Sequence, residues 1–144
     1  MTPKEYLRQL NVMRGQLRSV QRKIEELNLE AISIGAIRYD KDHVQTSPED
    51  HLPAMVGELL EVENKYQRML AMYHRAVQAR IQMIEKLDNP VYVRVLMLRY
   101  CDGMTFEQIA TEMVYSYRQI LRIHGNALSA FGRKHAAELE HRGQ

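Results

Sequence analysis

Apolar residues recur at Leu10, Met13, Leu17, Val20, Ile24, Leu27, Ala31 and Ile34, with spacings that alternate three and four. The same alternation runs through Leu52, Met55, Leu59, Val62, Tyr66, Met69, Tyr73 and Ala76. A period near 3.5 puts all of these residues on one stripe of an α-helix, and a stripe sustained over so many turns needs a second helix laid along it. Two such helices joined by one connection predict an antiparallel, coiled-coil-like hairpin. Thr2 before Pro3 gives the first helix a cap and a proline at its first position. Ser47-Pro48 repeats that signal for the second helix, and Glu49 and Asp50 favour the positive end of its dipole. Gly35 is expected to end the first helix, with the polar, aperiodic stretch from Ala36 to Thr46 as the loop. Gly15 lies off the seam, where it costs about 1 kcal/mol relative to Ala. The first helix would be on the order of 45 Å long at 1.5 Å per residue.

The second helix has more apolar surface than one partner covers. Val56, Leu60, Leu70, Val77, Ile81 and Ile84 form a stripe beside the seam, which must meet the carboxy-terminal part, a second copy or another protein. Self-association is the favoured reading, with a dimer as the expected homo-oligomer.

Past the hairpin the elements shorten. Asp88-Asn89-Pro90 is a cap and proline that start a third helix, with Val91, Val93, Leu96, Met97, Tyr100 and Cys101 as its buried face. Asp102-Gly103 reads as a turn. Thr105 with Gln108 is a capping-box pattern for a fourth helix, and Ser116 opens a fifth through Ile120, Ile123, Ala127, Leu128 and Phe131. The expected organisation is all-α: a helical hairpin over residues 1–87 and a trihelical unit over residues 88–144. With only four Pro and seven Gly among 144 residues, 45% hydrophobic and 26% charged, the composition suits a folded helical chain.

Residues 105–120 have the pattern of a helix-turn-helix. Ala110 is the small residue where the two helices cross, and Ile109, Met113, Ile120 and Ile123 are spaced for a shared core. The second helix begins at Ser116, so Tyr117, Arg118, Gln119 and Arg122 fall in its amino-terminal half, where side chains reach base edges in the major groove. Arg pairs with guanine and Gln with adenine in bidentate geometry. Ser116 at the helix terminus is placed to bond a phosphate. The net charge of +2 says little, but no acidic residue falls between Met113 and Ala137, where Arg118, Arg122, Arg133 and Lys134 do. Ser116, Tyr117, Arg118, Gln119, Arg122, Arg133 and Lys134 are therefore the candidate DNA-binding residues, and double-stranded DNA is the expected partner. Val114 stands where many helix-turn-helix proteins carry Gly. A β-branched residue resists positive φ, which predicts a differently shaped or slightly longer turn.

Leu98-Arg99-Tyr100, Thr105 to Ala110, Tyr115 to Ile120 and His124 to Leu128 together resemble region four of bacterial sigma factors, the helix-turn-helix that reads the promoter −35 element. Tyr6-Leu7-Arg8 and the stretch from Asp42 to Ser47 extend a closer likeness over nearly the whole chain. That likeness is to a family of small phage and prophage proteins with a long helical amino-terminal part and this ending. Neighbouring families with the same ending include the RinA-type late transcriptional activators. The resemblance implies DNA binding and transcription regulation in a bacterial host, with RNA polymerase as a further candidate partner. It does not extend to a complete sigma factor, because no region that opens a promoter is present.

Other functions find less support. No Gly-rich phosphate loop, paired carboxylates or nucleophile–base arrangement stands out, so neither catalysis nor a cofactor is expected. His124 reads as a packed histidine. His135 and His141 lie with Glu138 and Glu140 on a polar tail, at no spacing that a zinc site uses. The single Cys101 fits a buried thiol and a reducing compartment. No apolar run reaches membrane-spanning length and no signal core opens the chain, so a cytoplasmic location and no membrane partner are expected. The alternatives kept open are a small terminase-like packaging subunit and a protein–protein adaptor that binds polymerase or host factors.

Overall fold

The computed structural model describes residues 1–40 and 51–143. Six α-helices account for nearly all of them: α1 (Pro3–Asp40), α2 (His51–Glu85), α3 (Pro90–Leu96), α4 (Phe106–Met113), α5 (Tyr117–Lys134) and α6 (Ala136–Arg142). No strand occurs among the described residues. The fold is all-α, and α1 and α2 form the expected long hairpin.

Local signals set most boundaries. Thr2 and Glu5 close a reciprocal cap on α1: Thr2 N–H donates to the Glu5 carboxylate at 2.8 Å, and Glu5 N–H donates to Thr2 Oγ1 at 3.2 Å. Hydrogen bonding from the Thr2 backbone N–H, and then from its side chain, holds the Glu5 carboxyl below its ordinary pKa. Asn89 caps α3 by accepting from Val91 N–H at 2.9 Å, with Pro90 at the first helical position. Along α1, the seam residues Leu10, Leu17 and Leu27 are buried and those between them are half-buried. Gly35 does not end α1, which continues to Asp40. A lone glycine costs a helix only about 1 kcal/mol, and without a following proline nothing stops propagation. The rest of the expected loop and the Ser47-Pro48 start signal lie outside the described residues.

Packing divides the chain into residues 14–72 on one hand, and residues 1–13 with 73–144 on the other. The division expected between residues 87 and 88 does not coincide with this. In the first unit α1 and α2 run antiparallel, with Lys23 Nζ 3.9 Å from Glu58 Oε1. The second unit gathers the first turns of α1, the last turns of α2 and all of α3 to α6 around two cores, the larger built by all of these but α4. Tyr6, Leu7 and Leu10 meet Met83, Ile84 and Leu87 there, together with Leu96, Tyr100, Phe131 and Leu139. Val77 also packs on this core and Ile84 lies within it, so that end of the second apolar stripe is covered by the chain itself. Val56 and Leu60 of the same stripe remain exposed.

Tyr6 occupies the middle of the second unit. Its ring stacks on Phe131 at 6.3 Å and carries the Arg80 guanidinium 4.0 Å above it. Arg80 is itself buried, and its donors go to neutral acceptors: Tyr6 O at 3.1 and 3.3 Å, Gln9 Oε1 at 2.7 Å and Ala76 O at 3.2 Å. Burial lowers its pKa from the ordinary arginine value. The first turn of α1 also presses on α5, where a Cβ added at Gly132 would lie 2.8 Å from the Pro3 ring.

The carboxy-terminal stretch departs from the polar tail expected of it. It forms α6, which buries Leu139, and His135 at the joint of α5 and α6 is buried too. His135 Nε2 lies 2.8 Å from Met83 O, its Nδ1 lies 3.2 Å from Glu138, and its ring sits 4.8 Å from that of Phe131. The cause is tertiary, since seven polar-rich residues make no stable helix until Leu139 has a core to enter.

Arg80→Ala removes four hydrogen bonds and the cation over Tyr6, and leaves Tyr6 O and Gln9 without their donor. Urea denaturation is expected to show a loss of about 2–4 kcal/mol, with the midpoint shifted and the transition still cooperative.

Candidate nucleic-acid interface

Directly after α3, Met97–Cys101 wind as a π-helical turn, with Asp102 N–H donating to Met97 O at 3.1 Å. Tyr100 is carried inward, and the half-buried Cys101 packs at the core edge. Gly103, at φ 70°, makes the expected turn. Arg99 braces it, donating to Met104 O at 3.0 Å while its guanidinium lies 4.0 Å above the Phe106 ring.

α4 and α5 form the helix-turn-helix. Thr105 and Gln108 complete the capping box of α4, and Ser116 and Gln119 complete that of α5. Val95, Ile109, Ala110 and Ile120 are the buried centre between them, with Met113 and Ile123 packed against it. The shared core is therefore the one that the spacing predicted, extended by Val95 of α3.

The turn contradicts the expectation drawn from Val114. It is tight, and Val114 adopts φ 58° and ψ 44°, the one non-glycine residue with positive φ among the described residues. Tyr115 N–H donates to Ala110 O at 3.0 Å and Val114 N–H to Thr111 O at 3.4 Å, so the last carbonyls of α4 are satisfied by a Schellman arrangement. That pairing, and the burial of Ile109 and Ala110 against Ile120, outweigh the local preference of a β-branched residue. With 89% of Val114 exposed, its side chain gains almost no packing in return.

The structure brings five of the seven candidate residues together. Ser116, Tyr117, Arg118, Gln119 and Arg122 are all exposed on the first turns of α5. Two of them are partly committed. Gln119 Oε1 accepts from Ser116 N–H at 2.9 Å, and Ser116 Oγ accepts from Gln119 N–H at 3.1 Å. Gln119 thus lacks the free oxygen that a bidentate adenine contact requires. The Ser116 hydroxyl keeps its proton to donate, and the Tyr117 and Arg118 N–H groups at the helix start have no intrahelical acceptor.

Arg133 and Lys134 stand apart. Fifteen residues separate Arg118 from Arg133, roughly 22 Å along the helix. Arg133 still points within roughly 20° of Arg122, eleven residues being close to three turns. Lys134 faces another way, its Nζ 3.6 Å from Asp88 Oδ1. Both edge a shallow cleft of about 400 Å³ with Leu87, Asn89, Tyr92 and Ala130.

The exposed stripe of α5 also includes residues that counting from the cap did not single out. Gly125, Asn126 and Ser129 lie between Arg122 and Arg133, and Leu121 flanks them. A Cβ at Gly125 would touch nothing. Helical periodicity from Arg118 was the signal that would have found them. No carboxylate falls on this helix.

Behind the stripe, His124 packs inward as expected of it. Its Nε2 lies 2.8 Å from Tyr100 Oη, and its ring meets Phe106 edge-on at 4.8 Å. Burial, reinforced by the Arg99 and Lys4 charges, lowers its pKa from 6.5 to about 4. Near neutral pH the ring is uncharged and shares a hydrogen bond with the phenol, while burial raises the Tyr100 pKa.

No group of His, Cys, Asp and Glu suited to a metal ion occurs among the described residues, and none of their helices is long and apolar enough to cross a membrane. Comparison with protein-family models, curated proteins and solved structures finds no match to the chain.

Val114→Gly is expected to stabilise the protein by about 1 kcal/mol, because it removes the left-handed strain of an L side chain that packs on nothing. Thermal denaturation against wild type checks this. His124 gives a pH dependence. The unfolded ring takes a proton below about 6.5 while the folded ring refuses it until about 4. Its contribution is therefore full above pH 6.5 and is lost as pH falls toward 4. His124→Gln should flatten the melting temperature across that window relative to wild type.

Proposed function

We propose that the chain is a sequence-specific DNA-binding protein that regulates transcription as phage regulators do, with α5 laid in the major groove. The observation that carries this is the exposed, carboxylate-free face of α5, on which Arg118 and Arg122 project from the first turns of a capped helix-turn-helix second helix. Arg118 and Arg122 supply the base contacts, each able to grip guanine O6 and N7. The Ser116 hydroxyl and the free N–H groups of Tyr117 and Arg118 hold a backbone phosphate at the positive end of the helix dipole. Tyr117 packs along the groove wall, and Arg133 meets a phosphate further along the strand. Gln119 serves the cap first, which leaves its amide nitrogen alone for a base or phosphate.

Gly125 and Ser129 support this reading, because small residues let the helix backbone approach the groove closely. The chain acts as a homodimer on paired half-sites, and RNA polymerase is the partner through which a bound dimer changes transcription. This reading places the protein in the cytoplasm of a bacterial host and gives it no catalytic role.

Binding to a duplex selected from a randomised pool tests the proposal, read by fluorescence anisotropy over a salt series. Arg118→Ala with Arg122→Ala should weaken binding roughly a hundredfold and reduce the salt slope by about 2, with helicity unchanged. Unaltered affinity and slope would remove α5 from the interface.

A further inference from the structure

The outer face of α2 within residues 14–72 is sorted by charge. From Glu49 to Asn64 the sequence contains no Lys or Arg, and from Lys65 to Ile84 it contains no Asp or Glu. Glu58, Glu61 and Glu63 before Asn64, and Lys65 and Arg68 after it, are all exposed. Only Glu58 among these is drawn into an ion pair across the hairpin, with Lys23. Among the charges of the two halves lie exposed apolar groups that the hairpin leaves uncovered: Val56 at 46% and Leu60 at 54% in the acidic half, and Met72 at 56% in the basic half.

We infer that this face binds a second copy of the chain, antiparallel, about a two-fold axis at Asn64. A two-fold axis makes residue i of one copy meet j of the other while j meets i. At about 100° of turn per residue, reversal about Asn64 sets Glu61 beside Arg68 of the second copy and Leu60 beside its Gln67. A parallel pairing would set Glu on Glu and Arg on Arg, which repel directly. The sorting of charge therefore selects both the occupant and its direction.

Gly57 and Ala71 lie seven residues to either side of Asn64, on the same bearing of the helix, and a Cβ at Gly57 would meet nothing. The reversed pairing brings each of these small residues over the other, so the two α2 backbones approach closely at both ends of the contact. The inference deepens the self-association proposed above and rests on it.

Sedimentation equilibrium of the full chain without DNA tests it. Wild type should be a dimer that weakens with added salt. Arg68→Glu, and separately Glu61→Lys, should each raise the dimer dissociation constant at least tenfold. Circular dichroism should show unchanged helicity in both. Mixed together, the two variants should restore a one-to-one heterodimer. A monomeric wild type would overturn self-association itself. A dimer indifferent to both reversals, or variants that do not pair when mixed, would overturn this face and direction while leaving self-association standing.

Discussion

Arg80 and Tyr6 hold the second unit together. A guanidinium buried without a carboxylate partner is tolerated only where its donors find other acceptors, and here the backbone carbonyl of Tyr6 and the Gln9 amide supply them. The same guanidinium lies over the Tyr6 ring, which also stacks on Phe131 of α5. One side chain thereby ties the start of α1 to the end of α2, and Tyr6 passes that tie on to α5. The helix proposed to meet DNA is seated on residues from the opposite end of the sequence.

Seating of this kind explains why a turn with an unsuitable residue keeps its shape. Val114 is in a left-handed conformation because Ile109 and Ala110 on one side, and Ile120 on the other, fix where α4 must stop and α5 must begin. Two reciprocal caps then satisfy part of each helix start and leave the Tyr117 and Arg118 N–H groups open on α5. The arrangement commits Gln119 and part of Ser116 to the fold, so arginine is left to carry direct contact on the early turns of α5. His124 acts from beneath, as a neutral group bonded to Tyr100 that keeps the buried side of α5 free of charge near neutral pH.

Much of this was legible in the residues. The three-four spacing from Leu10 to Ala76 gave the hairpin, because that period belongs to no other backbone. Thr2-Pro3, Asn89-Pro90, Thr105 with Gln108 and Ser116 each marked a helix start that the structure reproduces. Ala110, Ile109, Ile120 and Ile123 marked the helix-turn-helix core. What escaped has a common cause in contacts between distant residues. α6 forms because Leu139 enters a core built by α1 and α2, and His135 is buried because Met83 offers it a carbonyl. The boundary placed at residues 87 and 88 missed Tyr6 and Arg80, which meet across more than seventy residues of sequence. Gly35 misled in the other direction, since a local preference of about 1 kcal/mol was read as a stop. Gln119 was assigned to bases from its place near the helix start and its residue type, although the capping box that occupies it was visible three residues after Ser116.

The placement of Tyr6 also governs the order in which the molecule is made. The first turns of α1 leave the ribosome well before Phe131, which stacks on Tyr6, and Leu139 of the same core. Until then the amino-terminal aromatic has no permanent neighbours, and the unit cannot close domain by domain as synthesis proceeds. A chain truncated before α6 would carry every element of the helix-turn-helix and yet lack the last piece of its core. Synthesis through α6 is thus built in as a condition for the unit to close.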